Sequence, residues 1–456
     1  MQNPVDARWT LPLWLQSLTT MGKRSEGTRA VIADQHQSRR PIGQSKNDDT
    51  ALRWRSVSLP GRRRRARAAE PHSPPRRLSA YTEYDPMQAV TQRVCTETRK
   101  PIRIGIVGAN AKASWAALSH VPAINGIPGL KLAAVATRNA QSAREAAEIF
   151  GADHWFSDPL AMIRDDQIDL VTIAVNVPTH RELVLAALDA SKAVYCEAPL
   201  GRTVEETEEM ASAAGSLHTA IGLQGRLNPT VRHAAHLLSS GKIGRPLKVR
   251  IVSNVVGFGP EMPSAYDYFN KVSSGANLLT ITVGHTLDVV EAVLGPIIEV
   301  EARTEILWPT VKLTDTGENS LRETADHASI LGSTHSGVVF AASISGGIAP
   351  EGVRFSLEIR GSEGWLRLTS DHPYGVQAGD IKLASNVPFA IPHEGVVSGG
   401  FMGAAINVGE VYAHLARDIH TGDYDTPGFE HALHNARLIE AVLRAAEHGE
   451  RQILTN

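Results

Sequence analysis

The stretch "PIRIGIVGANAKASWAALSHVPAI" (Pro101–Ile124) decides the fold. Ile102–Val107 is a short apolar run that ends at Gly108. A turn of small residues follows, then a helical stretch. A strand that passes through a glycine turn into a helix opens a βαβ unit. The pyrophosphate of a dinucleotide sits at such a turn, where backbone N–H groups and the helix N-terminus supply positive potential. In the GxGxxG spacing Gly108 holds the first position, with Asn110 and Ala113 at the second and third. Asparagine tolerates a left-handed backbone better than most residues, and alanine leaves room for close helix packing. An incomplete fingerprint is weak alone, the alternative being an ordinary tight turn. Its place at a strand–helix junction carries the reading.

The pattern continues outward. "KLAAVATR" (Lys131–Arg138), "IDLVTIAV" (Ile168–Val175) and "AVYCE" (Ala193–Glu197) read as strands. "SAREAAEIFG" (Ser142–Gly151) and "THRELVLAALDAS" (Thr179–Ser191) read as the helices between them. Such alternation predicts a doubly wound parallel sheet, a Rossmann fold. No acidic residue stands at the tip of the second strand; Thr137 and Arg138 do. An arginine there faces a 2′-phosphate, which favours NADP over NAD. The plainer alternative is a solvated surface arginine.

The second half reads differently. "TVRHAAHLLSSGKIG" (Thr230–Gly244) is a helix with a glycine exit, and "PLKVRIVSNVV" (Pro246–Val256) alternates as a strand. Further strands are "IIEVEARTEI" (Ile297–Ile306), the segments within Asp326–Gly347, "VRFSLEIRGSEGWLRLTS" (Val353–Ser370) and "GDIKLA" (Gly379–Ala384). "FEHALHNARLIEAVLRAAEHG" (Phe429–Gly449) is a closing amphipathic helix. A run of strands without helices between them predicts an open, mainly antiparallel sheet with one face covered. The expected organisation is a basic extension over 1–98, a Rossmann dinucleotide-binding domain over 99–221 and an α+β substrate-binding and oligomerisation domain over 222–456.

Residues 1–100 carry 19 basic and 9 acidic residues, a net +10. The remaining residues therefore carry −12 of the overall −2. "GRRRRARAAEPHSPPRR" (Gly61–Arg77) and its neighbours are too polar to offset their ordering entropy, so disorder is expected over 1–98. "WTLPLWLQSL" (Trp9–Leu18) is interrupted by Pro12 and Gln16 and makes a poor signal peptide. The arm reads as a binder of an acidic partner, a weak transit segment, or translated upstream sequence with the natural start at Met87. The last is favoured. The chain has two cysteines, Cys95 and Cys196, with no CxxC spacing, so neither a disulfide framework nor a metal site is expected. No apolar run approaches the ~18 residues of a membrane helix. A cytoplasmic protein with no membrane or nucleic-acid partner is expected.

"VNVPTH" (Val175–His180), "CEAP" (Cys196–Pro199), "LQGRLNP" (Leu223–Pro229) and "SGANLLTITVGHTLDVV" (Ser274–Val290) resemble the motifs of the glucose–fructose oxidoreductase/inositol dehydrogenase (Gfo/Idh/MocA) family. Within it, "NAKASWAALSHVPAI" (Asn110–Ile124) and "LLTITVGHTLD" (Leu278–Asp288) resemble the subgroup of the fungal galactose-regulon repressor, a regulator that binds dinucleotide. The resemblance implies a cofactor site at Gly108, Asn110, Ala113, Thr137, Arg138, Asn176, Pro178, His180, Glu197 and Ala198. It also implies homo-oligomers, dimers or tetramers, formed through the open sheet.

Three positions depart from the family pattern. Ala198 replaces the lysine of EKP, which binds the substrate hydroxyl in typical members. Ile281 stands where an aspartate is usual, and Val283 replaces a glycine. His285 and Asp288 match. Three apart on a helix, they share a face. An aspartate beside a histidine fixes its tautomer and raises its pKa, and such a pair serves as general base. A buried pair that only stabilises the helix is the alternative. Arg226, Tyr268 and Lys271, with Tyr266, are candidate contacts for a small substrate. The expected function is hydride transfer between NADP or NAD and a hydroxyl or carbonyl of a sugar, polyol or related molecule. A dinucleotide-binding regulator without turnover is the alternative.

Overall fold

The computed structural model describes residues 100–111, 114–348, 354–390 and 403–454. The basic extension, the Met87 reading and Ala113 lie outside the described residues. Strands β1 (Ile102–Val107), β2 (Leu130–Ala136), β3 (His154–Phe156), β4 (Leu170–Ile173), β5 (Ala193–Cys196) and β6 (Thr219–Ile221) form a parallel sheet ordered β3-β2-β1-β4-β5-β6. Strand order reverses between β1 and β4, and ligands of open α/β sheets bind in the crevice beyond such a switch point. Helices α1 (Trp115–Leu118), α2 (His120–Gly126), α3 (Ala140–Phe150), α4 (Pro159–Ile163), α5 (His180–Asp189) and α6 (Val204–Ala214) alternate with the strands. The helix after the glycine turn is broken in two at Ser119. Elsewhere the ends follow local chemistry. Asn139 Oδ1 accepts from Ser142 N at 2.8 Å to start α3, and Gly151, at φ 75°, ends it.

The second half holds helix α7 (Pro229–Ser239), then β7 (Pro246–Asn254), β8 (Glu261–Met262), a π-helical turn over Leu279–Val283 and α8 (Gly284–Leu294). Next come β9 (Ile297–Glu305), β10 (Thr310–Leu313), β11 (Asn319–Leu321), β12 (His327–Thr334), β13 (Val339–Ser345), β14 (Phe355–Gly361), β15 (Trp365–Ser370) and β16 (Lys382–Ser385). Helices α9 (Gly403–Thr421) and α10 (Phe429–His448) and strand β17 (Gln452–Ile453) follow. The large sheet is ordered β16-β15-β14-β7-β13-β12-β9-β17. All its pairings are antiparallel except β7 with β13. Alternation decides its faces. Ile330 and Phe340 are buried under the helices, while Leu331 and Val339 stay 53% and 65% exposed on the open face. β8, β10 and β11 make a small separate sheet.

α8 is the central helix of this half. Leu287, Val290 and Val293 pack with Ile251, Phe340 and Ile344 of the sheet and with Leu438 and Val442 of α10. The late helices also return to the first sheet. Val408, Val411, Tyr412 and Leu415 of α9 share a core with Ile104, Ile106 and Tyr195. Phe429 and Leu433 of α10 share another with Val171, Val194 and Ile221. Among the described residues no helix is long and apolar enough to cross a membrane.

Candidate dinucleotide and substrate site

The glycine turn is built for close backbone approach. Gly108 takes φ +96°, and a Cβ there would lie 2.3 Å from the carbonyl oxygen of Ala174. No L side chain fits that gap, so the turn stays flush against β4, the geometry a pyrophosphate-binding turn needs. The residues present therefore fit a dinucleotide. Asn110 N–H turns back on Gly108 O at 3.0 Å, and Ser114 Oγ donates to Asn110 O at 2.8 Å. At the end of β2 the Thr137 hydroxyl is engaged locally, with Ser142 Oγ at 2.6 Å and Asn139 O at 3.1 Å. Arg138 projects into solvent. Asn176 and Pro178 are exposed at the end of β4, where Asn176 O caps the turn by accepting from Thr179 Oγ1 at 2.8 Å.

His180 is no surface histidine. It is 1% exposed and ties two turns together. Nε2 meets Val175 O at 3.0 Å, and Nδ1 meets Pro199 O at 3.1 Å and Leu200 O at 3.2 Å. Burial pushes its pKa down, against the carbonyl contacts. His180 thus holds the "VNVPTH" turn to the "CEAP" turn. Ala198 packs at the edge of the first core, and its peptide bond to Pro199 is cis.

Glu197 lies at the mouth of β5, with a side chain 14% exposed. Its Oε1 meets His120 Nε2 at 2.9 Å. His120, fully buried on α2, meets Tyr412 Oη through Nδ1, also at 2.9 Å. Tyr412 Oη in turn meets Thr172 Oγ1 of β4 at 2.8 Å. An ionised carboxylate only accepts, so toward it His120 presents an Nε2–H donor, with Nδ1 and the Tyr412 phenol sharing the second bond. Burial drives the Tyr412 pKa far up, so the phenol keeps its proton. His120 and Tyr412 escaped the sequence reading because they lie 292 residues apart.

His285 is 4% exposed, and its Nδ1 is buried without a partner among the described residues. The expected bond to Asp288 does not form. Asp288 Oδ1 instead takes Arg226 Nη1 at 2.5 Å and His431 Nε2 at 2.6 Å. A buried carboxylate takes the cationic donor within reach, and charge-assisted bonds are the strong ones. Burial acts to raise the Asp288 carboxyl, but Arg226 and His431 outweigh it and hold it below its ordinary value. Arg226 accordingly joins the segment after β6 to α8 and α10. Burial lowers the His285 pKa, opposed by Glu197 and then Asp288.

The substituted family positions are apolar in environment as well as in name. Val283 is fully buried in the core of the second half, and Ile281 is half-buried in the π-helical turn. Lys271 Nζ bonds Leu321 O at 3.1 Å and lies 3.4 Å from Glu323. Tyr268 packs on Phe269 with ring centroids 4.3 Å apart, and burial lifts its pKa to about 12. Tyr374, which the sequence reading missed, is likewise pushed up to about 12 by burial, with Tyr266 adding to it. A cavity of about 330 Å³ opens beside the "CEAP" turn, lined by Ala198, Pro199, Ile221, Thr280, Asn435 and Ile439 among others. Neither Glu197, Arg226 nor His285 lines it. Among the described residues no group of three histidine, cysteine or acidic side chains is placed to hold a metal.

Comparison with known proteins agrees with this architecture. Residues 102–223 match the oxidoreductase family with an NAD-binding Rossmann fold, and residues 229–370 match the C-terminal domain of Gal80p. The galactose/lactose metabolism regulatory protein GAL80 of Kluyveromyces lactis is 29% identical over 294 residues, 60% of this chain and 64% of that protein. Dehydrogenase aclE of Aspergillus oryzae is 31% identical over 231 residues, 48% of this chain and 62% of that protein. The match thus spans less than two thirds of either relative. A levoglucosan dehydrogenase solved with NADH and L-sorbose shares the fold, with a TM-score of 0.67 and 21% identity over 78% of this chain and 100% of that one. Residues 102–223 thus form a Gfo/Idh/MocA-type NAD-binding Rossmann domain, and residues 229–370 a Gal80p-type C-terminal domain.

Proposed function

We propose that the protein is an NAD(P)-dependent oxidoreductase that interconverts a hydroxyl and a carbonyl on a sugar, polyol or related small molecule. The observation that carries this is His285. It is a buried imidazole whose Nδ1 has no partner among the described residues, and burial lowers its pKa. A neutral imidazole is a competent proton acceptor near neutral pH.

The turn at Gly108 and the exposed ends of β2 and β4 would hold the dinucleotide, with Arg138 free to face a 2′-phosphate, which favours NADP. When bound, the nicotinamide supplies the hydride acceptor or donor. In the oxidising direction His285 takes the hydroxyl proton as the carbonyl forms. Ala198 contributes no proton donor, so that burden rests on His285. Tyr268 and Tyr374 offer phenols that stay protonated as donors to a polyol. Arg226 and Asp288 hold α8 and with it His285. We assign self-association to the open sheet face around Leu331 and Val339; sedimentation of Leu331→Lys should then show smaller species.

The test is to measure NADPH and NADH binding by fluorescence and to screen sugars and polyols for reduced nicotinamide. Turnover lost in His285→Asn with dinucleotide binding retained supports the enzyme. A second reading, a dinucleotide-binding regulator, is favoured by Ala198, Ile281 and the Gal80p-type domain. Tight dinucleotide binding with no turnover on any substrate would select it.

A further inference from the structure

The cavity of about 330 Å³ beside the "CEAP" turn takes no part in the chemistry proposed above. Its wall comes from that turn and the start of α6, the end of β6, the π-helical turn and α10. Ile221, Leu223, Ile439 and Leu443 make much of it apolar. Ligand pockets hold roughly 300–1,000 Å³, are mostly apolar and carry a few placed polar groups. Thr280 and Asn435 are polar members of this wall. Thr280 is engaged locally: its Oγ1 accepts from Asn277 N at 3.0 Å and donates to Asn277 O at 3.3 Å. Asn435 is only half engaged. It is 7% exposed, and its Nδ2 donates to Gly284 O at 3.2 Å. That bond fixes which end of the amide is which, since only the NH₂ group can face a carbonyl. Oδ1 has no hydrogen-bond partner among the described residues. A buried acceptor left unpaired costs free energy, and a ligand donor would satisfy it.

We propose that this cavity binds a small neutral molecule, an apolar ring or short chain with one O–H or N–H donor. The donor bonds Asn435 Oδ1, and the apolar body packs on Ile221, Leu223 and Ile439. The charges in the wall argue for a neutral ligand. Arg202 is paired with Glu206, Nε to Oε1 at 2.9 Å, and Glu440 with Arg444 at 3.0 Å. Glu205 stands in the first turn of α6, where the helix N-terminus favours a carboxylate. Its own backbone N–H and the Thr203 hydroxyl hold its pKa down. An anion would meet no unpaired cation there and would lose its hydration uncompensated. The cavity backs onto the candidate site without opening it. Ala198 adjoins Glu197, and Asn435 holds the carbonyl of Gly284, next to His285. Neither Glu197 nor His285 lines the cavity, so its occupant is a second ligand, apart from dinucleotide and substrate.

Calorimetric titration of the full chain tests this with three probes: indole, 1-methylindole and indole-2-carboxylate. Indole has the ring and the donor and should bind one site with a Kd on the order of 0.1–1 mM. 1-Methylindole keeps the ring and loses the donor. It should bind about tenfold more weakly, the worth of about one hydrogen bond. Indole-2-carboxylate adds an anion and should bind at least tenfold more weakly than indole, the order of effect expected for an unpaired charge. Ala436 lines the cavity and is half-buried. Ala436→Trp places a ring in the space and should abolish indole binding while the thermal transition of the parent is retained. Asn435→Leu, close in volume, removes the acceptor and should make indole and 1-methylindole bind alike. Indole that binds the parent no tighter than 1-methylindole overturns the proposal. So does indole that binds Ala436→Trp as it binds the parent. None of these titrations needs dinucleotide or turnover, so failure of the function proposed above leaves their result readable.

Discussion

At the scale of single residues, Asp288 changes role most between the sequence and the structure. As the partner of His285 it would be part of the chemistry; as the partner of Arg226 and His431 it holds three segments together. Its side chain is 1% exposed. Removing one member of a buried ion pair leaves the other charges uncompensated and costs about 3–5 kcal/mol. Asp288→Asn should therefore lose about 3 kcal/mol in urea unfolding. The folded carboxyl lies below its unfolded value, so its contribution is present above the unfolded pKa and disappears as pH falls through the folded one. Below both values Asp288→Asn and the parent should converge in stability. His434 behaves oppositely. Its hydrogen bond to Glu291, 2.9 Å from Nε2 to Oε1, raises its pKa. That stabilisation is fully present below the unfolded value, about 6.5, and is lost as pH rises through the raised folded one. Denaturation of the parent between pH 6 and pH 9, compared with His434→Gln, should show a decline that the variant lacks.

At the scale of elements, the β1–α1 junction carries the sharpest expectation. Gly108→Ala places a methyl 2.3 Å from Ala174 O at a φ of +96°. Backbone cannot yield as a flexible side chain does. The strain of such a residue is of order 1–3 kcal/mol before the clash is counted. Dinucleotide affinity measured by fluorescence should fall at least tenfold in this variant, while Gly151→Ala, where the added Cβ meets nothing within 4 Å, should bind as the parent does. This junction was also the most legible part of the sequence, because strand, turn and helix are local and Gly108 has one physical reason to be there. The alternating strands of the second sheet were readable for the same reason: Ile330 in, Leu331 out is a two-residue signal. His285 could be singled out by its helix, but its surroundings could not. Asp288 has its partners 62 and 143 residues away, and the preference of a buried carboxylate for Arg226 over a neighbouring imidazole has no local mark. The same holds for His120, one buried histidine among 18 histidines in the chain.

At the scale of the whole molecule, the late helices are shared between both sheets, and this governs how the chain folds. Val408, Val411, Tyr412 and Leu415 lie in one core of the first sheet, and Phe429 in the other. Each is exposed by 1% or less. Burying a large apolar side chain is worth about 1.5–3 kcal/mol. Five of them contribute on the order of 10 kcal/mol, as much as the entire net stability of about 5–15 kcal/mol of a typical domain. The nucleotide-binding half is therefore incomplete without chain that follows it by some 200 residues. A fragment ending at Leu223 should show helical far-ultraviolet dichroism without the near-ultraviolet signal of packed tyrosines, and no cooperative thermal transition. It should also fail to hold dinucleotide, since Tyr412 anchors His120 and, through it, Glu197. The longer fragment 99–456 should unfold in one transition reported alike by both signals, because no cut through the chain separates the two sheets without opening a core. A fragment 99–223 that melts cooperatively and binds dinucleotide as tightly as 99–456 would show that the late helices cover the first sheet without being needed to build it.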